Sequence, residues 1–168
     1  MFSLSDTNPT QVTGLIVFVA SALSCGWTVR RTSGRLAVLW RCLAVAQFLF
    51  LLEIMLGLRH QVHGWVDALL QQQGWYAHRR PVQVALLALS FVGLGFALTP
   101  MLRMFSGSPW VRLAAIASFV VLVLFGLEMI SLHQIDTVLY CPVGPVMLIA
   151  WMWVALGVMV VWAATRTR

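Results

Sequence analysis

Two glutamates carry the most demanding chemistry in this chain. Glu53 and Glu128 each fall a few residues before the end of a hydrophobic run, where an ionised side chain is expensive and asks for a partner or a task. Further polar residues gather by spacing. Glu53, His60 and Asp67 are seven apart each time, and His63 follows three after His60, so a continuous helix would place all four on one face. His133, Asp136 and Tyr140 fall at i, i+3 and i+7 after Glu128. Tyr76, His78, Arg79, Arg80 and Gln83 cluster ahead of another apolar run.

Several chemistries use such a set. Glu and His from facing helices are the ingredients of a carboxylate–histidine metal site, with His60, His63 and His133 as nitrogen ligands. His60 or His63 from one helix and His133 from another would also suit the two axial positions of a haem. Arg79 and Arg80 could clamp an anion, and a Glu could serve as base for a membrane enzyme acting on an anionic or lipid substrate. No recognised signature fixes any of these. The chain has no Glu-x-x-His, no His-x-x-x-His, no phosphate-binding glycine loop and no evident nucleophile. The remaining alternative is a ligand-free ion-pair network of Glu53, Glu128, Asp67 and Asp136 with Arg79 and Arg80, tying helix ends together.

The elements that must position these residues follow from composition. Of 168 residues, 61% are hydrophobic and 10% charged, with mean hydropathy +0.90. Soluble domains average about 25% charged residues, and disorder cannot keep this much apolar surface in water. The expected fold is therefore all-α: a single polytopic transmembrane helix bundle. A span needs about 20 apolar residues, and five are read, at 12–29, 36–58, 82–101, 111–132 and 143–164. Turn chemistry marks the breaks at Thr32-Ser33-Gly34, Thr99-Pro100, Ser106-Gly107-Ser108-Pro109 and Pro142-Val143-Gly144-Pro145. Between spans two and three, Val62, Trp65, Val66, Leu69 and Leu70 form an amphipathic stripe. That stripe predicts an interfacial helix over about 60–73, continuing the second span outward.

All 11 basic residues are Arg. Eight of them (Arg30, Arg31, Arg35, Arg41, Arg103, Arg112, Arg166 and Arg168) fall on one side of this arrangement, against Arg59, Arg79 and Arg80 on the other. The positive-inside rule then places the N-terminus outside and the C-terminus in the cytoplasm of a bacterial inner membrane. Topology accounts for the net charge of +6 without nucleic acid as a partner. Before the first run there is no basic n-region, so that run reads as an uncleaved span. Both Glu-bearing spans run from inside to outside, which puts the two carboxylates at a similar depth, about 6–9 Å below the outer interface.

Trp27, Trp40, Trp65, Trp75, Trp110 and Trp162 fall near predicted boundaries, as an aromatic belt does, whereas Trp151 and Trp153 fall deeper and read as packing residues. Cys25, Cys42 and Cys141 form no paired motif, and the first two read as small buried hydrophobes. For a small chain without a catalytic signature, the expected role is an accessory subunit of a larger membrane complex. The bilayer and other membrane subunits, or a second copy, would be its partners. The alternative is a metal- or haem-binding, redox-capable protein built on the outer polar cluster.

Overall fold

The computed structural model of the chain describes residues 8–58, 108–130 and 133–167, together with single positions scattered between 61 and 103. The described residues form an all-α bundle of transmembrane type. Its long helices are α1 (Pro9–Arg31), α2 (Gly34–Leu56), α3 (Pro109–Ile130) and, after the short α4 (His133–Leu139), α5 (Leu148–Arg166). Four of the predicted spans are thus present as apolar helices long enough to cross a membrane. At 1.5 Å per residue they measure about 28–35 Å, matching a hydrocarbon core of about 30 Å. The predicted span 82–101 and the interfacial helix over 60–73 lie outside the continuously described residues.

Local chemistry sets the helix ends. Asn8 caps α1, its side chain accepting from the Thr10 N–H at 3.0 Å, with Pro9 in the first turn. Pro9, Thr10 and Gln11, left out of the predicted span, are therefore helical. At the same end of the bundle α2 stops at Gly57, which adopts φ 60°, ψ 36° and donates its N–H to Glu53 O at 2.8 Å. Glycine meets this left-handed conformation without the Cβ penalty. The second span therefore does not run unbroken into the following segment, and the heptad face shared by Glu53, His60 and Asp67 is interrupted at Gly57. A hydropathy profile reads through this stop because Leu58 continues the apolar run.

The last span also starts later than position 143. Pro142–Val143 and Val146–Met147 pair as a two-stranded antiparallel hairpin, β1 and β2. Gly144 at φ 70° and Pro145 form its two-residue turn. Positive φ at the first central position, with the proline ring holding the second negative, is the requirement of a type II′ turn. The Leu148 N–H donates to Cys141 O at 2.9 Å and extends the ladder. Trp151 donates its indole N–H to Val143 O at 2.9 Å and stays exposed. It fastens the hairpin rather than filling the core. Trp40 shows the opposite departure: predicted for the belt, it is fully buried. Cys25 is buried as expected, whereas Cys42 is exposed on the bundle's outside.

In the bundle α1 and α5 run in one direction, α2 and α3 in the other. α1 packs against both α2 and α5, α5 packs against α3, and α2 and α3 meet more lightly. Small residues allow the α1–α5 approach. The buried stripe of α1 is Thr10, Gly14, Phe18, Ser21, Cys25 and Thr28, spaced by three and four as a helix seam requires. Thr28 donates to Ala164 O at 3.2 Å across the interface. A Cβ on Gly157 would collide with Val17 and lie 3.3 Å from the Ser21 hydroxyl, and one on Gly14 would press the Trp153 ring at 3.0 Å. One ring from each long helix meets at the centre. Phe18 lies 5.7 Å from Phe50, 6.0 Å from Phe125 and 6.1 Å from Trp153, centroid to centroid. Phe125 lies 5.5 Å from Phe50 and 5.9 Å from Trp153.

Two substitutions separate close packing from simple helix propensity. Gly157→Ala is expected to destabilise the detergent-solubilised protein by about 1–3 kcal/mol, because β-branched Val17 must move. Gly26→Ala, where a Cβ meets nothing within 4 Å, should be neutral or stabilising. Thermal unfolding followed by circular dichroism reads both.

Candidate functional site

The helix directions bring the described acids to one end. Glu53 is in the last turn of α2, Glu128 near the end of α3, and Asp136 in α4. Arg30, Arg31, Arg35, Arg112 and Arg166 are at the other end. Glu53 and Glu128 thus share an end of the bundle, but their surroundings differ. Glu128 is buried, 5% exposed, whereas Glu53 is half-buried on the flank of α2.

Glu128 lines a cavity of about 300 Å³ at this end. The first turn of α1 provides Asn8, Thr10 and Gln11, the close of α2 provides Ile54 and Gly57, and Met147, Ile149 and Trp153 complete the wall with Tyr140. Tyr140 donates its phenolic O–H to Glu128 Oε1 at 2.8 Å, a usual length for an O–H···O bond. In one regular helix Tyr140 would be twelve residues and more than three turns beyond Glu128, so the 2.8 Å bond means that α4 does not prolong α3 as one straight helix. The Tyr140 N–H closes α4 on Asp136 O at 2.9 Å.

Hydrogen bonds between elements fix the cavity's rim. The Gln11 side chain donates to Ile54 O at 3.0 Å, satisfying a terminal carbonyl of α2. The Thr10 hydroxyl accepts from the Met147 N–H at 3.1 Å and holds the hairpin against α1. Gln61 donates to Leu56 O at 2.8 Å. Floor residues Ile54, Ile149 and Trp153 are all nearly fully buried, so the cavity is polar at its mouth and apolar at its base.

The residues expected from the sequence divide three ways. Glu128 lines the cavity. Glu53 and Asp136 belong to the same end but not to its wall. His60, His63, Asp67, Tyr76, Arg79, Arg80 and Gln83 lie outside the described residues, as does the side chain of His133. Among the described residues no group of three His, Cys, Asp or Glu side chains converges to hold a metal. Asn8, Thr10 and Gln11 were missed. Their signal was the Asn8-Pro9 helix start, which brings the polar residues after it into the first turn.

With Glu128 on its wall and Asn8, Thr10 and Gln11 at its mouth, the cavity is suited to a cation or a hydrogen-bond donor. No protein-family model, curated protein or solved structure matches the chain, so the chemistry rests on this geometry.

The Tyr140–Glu128 bond is measurable. Tyr140→Phe and Glu128→Leu should be clearly non-additive in a double-mutant cycle of unfolding, with a coupling of about 1–2 kcal/mol for a hydrogen bond at a membrane boundary. Strictly additive effects would mean that the bond does not persist in the folded protein.

Proposed function

We propose that the protein is a multi-pass protein of the bacterial inner membrane that acts as a binding subunit. Its outer-end cavity receives a small ligand bearing a positive charge or a strong hydrogen-bond donor. The observation that carries this reading is Glu128, a buried carboxylate held by Tyr140 on the wall of a cavity of about 300 Å³. That volume is at the small end of ligand pockets, which combine apolar walls with a few placed polar groups. Intramembrane carboxylates are costly enough to mark functional sites by default. Binding is favoured over turnover because both hydroxyls on the cavity's described walls are engaged, that of Thr10 with the Met147 N–H and that of Tyr140 with Glu128 itself. The accessory role expected from the sequence then takes a definite form: a subunit that holds a small ligand at the outer face of a larger assembly.

Segregation of Arg30, Arg31, Arg35, Arg112 and Arg166 to the opposite end supports the N-out, C-in orientation. In spheroplasts a membrane-impermeant maleimide should label Cys141, which is exposed at the outer end, while buried Cys25 and bilayer-facing Cys42 stay unlabelled. Labelling of Cys141 only after lysis would invert the topology.

Binding is tested on the protein purified in mild detergent, by thermal unfolding against divalent metals, primary amines and polyamines. At least one cation should stabilise the native state, by about 2.7 kcal/mol at a hundred times its Kd, and Glu128→Gln should abolish that gain. No response to any cation, or an equal response of the variant, overturns the reading. A Soret band or stoichiometric metal that survives Glu128→Gln would shift the site to the histidines.

A further inference from the structure

At the arginine-rich end a second concavity lies between the C-terminal halves of α1 and α5. It is an open groove of about 580 Å³, unconnected with the Glu128 cavity. One end is cationic and polar, with Arg30 and Arg31 from the last turn of α1 and Thr165 from α5. The other end is uncharged and mostly apolar, with Ala22, Leu23, Ser24 and Gly26 on α1. From Arg31 back to Ala22 is nine residues, so the groove descends about 13 Å along the helix. That is the distance from a phosphate plane into the upper acyl region of a leaflet.

The groove is built rather than incidental. Thr28 bridges to Ala164 O at 3.2 Å and locks its two walls together. Arg31 stacks its guanidinium on the Trp27 ring at 4.7 Å, which orients the group and leaves its N–H edge to donate. Neither Arg30 nor Arg31 has a carboxylate partner among the described residues. The backbone at Gly26 faces open space, with nothing within 4 Å of a Cβ position. This glycine is therefore not needed for helix packing, yet it keeps the groove deep.

We propose that this groove binds one phospholipid with an anionic headgroup. Its phosphate is held by Arg30 and Arg31, and one acyl chain lies along Gly26 and Ala22. The gradient from two cations without a carboxylate partner among the described residues to an uncharged, mostly apolar end over about 13 Å matches a phospholipid and not a soluble phosphate, which would use only the upper end.

The test is native mass spectrometry of the full chain in detergent, titrated with dioleoylphosphatidylglycerol, dioleoylphosphatidylcholine, glycerol 3-phosphate or inorganic phosphate. One phosphatidylglycerol should be retained, at least tenfold more tightly than phosphatidylcholine, and millimolar phosphate or glycerol phosphate should not displace it. Each arginine removed should weaken retention about fivefold, the effect of one elementary charge at an anionic surface. Arg30→Lys with Arg31→Lys should retain most of the binding, which guards against a folding or topology defect in the alanine variants. Gly26→Leu should fold normally, because it enters open space, and still lose most of the retention. Equal retention of phosphatidylcholine overturns the anionic headgroup, and displacement by phosphate alone overturns the lipid. Unchanged retention in Arg30→Ala/Arg31→Ala or in Gly26→Leu overturns the assigned groove.

Discussion

Everything at the Glu128 end of this bundle rests on the meeting of four rings. Phe18, Phe50, Phe125 and Trp153 contribute one ring from each long helix, at centroid separations of 5.5 to 6.1 Å. All are tilted or edge-on, the arrangements aromatic quadrupoles favour. In a bilayer the hydrophobic effect does not distinguish a helix neighbour from lipid, so close packing of this kind has to hold helices together. Trp153 belongs both to this layer and to the base of the Glu128 cavity, and Ile54 and Ile149 complete that base. The rings thus act as a plug. They stop the polar cavity from extending into the bundle and hold Glu128 at a depth where it is shielded yet reachable.

Above the plug, backbone accounting shapes the site. Helix ends leave carbonyls and N–H groups unpaired, and near a membrane boundary each needs a partner. Gln11 takes Ile54 O, Gln61 takes Leu56 O, Gly57 takes Glu53 O, and Thr10 takes the Met147 N–H. These are the same residues and turns that draw the cavity's rim. The hairpin shows the link most clearly. By spending 142–147 on a two-stranded turn, the chain shortens α5 to Leu148–Arg166 and brings Met147 against α1. A span that started at Val143 would have filled that space with helix.

Long-range apolar character was easy to read from the sequence, because four runs of twenty or so residues leave little choice in lipid. That Glu53 and Glu128 share an end followed from span direction alone. Single-residue backbone chemistry was harder. Gly57 and Gly144 each sit beside apolar residues that extend a hydropathy run, so a positive φ hidden at one position ended an element early. The partner of Glu128 was harder still. Tyr140 stood in the heptad-like pattern of His133 and Asp136, and a regular helix would carry it more than three turns away from Glu128. Trp40 and Trp151 exchanged their expected places for a related reason: position along a span says how deep a side chain lies, not which face it takes.

The bond between Gln47 and Ser118 follows from the same economy of contacts. Gln47 donates to Ser118 Oγ at 2.8 Å, and Ser118 donates on to Ala114 O at 2.8 Å. Gln47 is 1% exposed, and its Oε1 has no hydrogen-bond partner among the described residues. A buried orphan acceptor costs about 1–3 kcal/mol, against about 0.6 kcal/mol for a typical interhelical bond in a membrane. As a source of stability the pair is therefore a poor arrangement. Its value is register, the best-attested use of a buried polar pair. α2 and α3 meet more lightly than α1 meets α2 or α5 meets α3. A slip of one residue would shift Glu128 by about 1.5 Å relative to Ile54 and Gly57, enough to break a 2.8 Å bond from Tyr140 or open the cavity's wall. A polar pair at the bundle's centre sets the height of a carboxylate at its end.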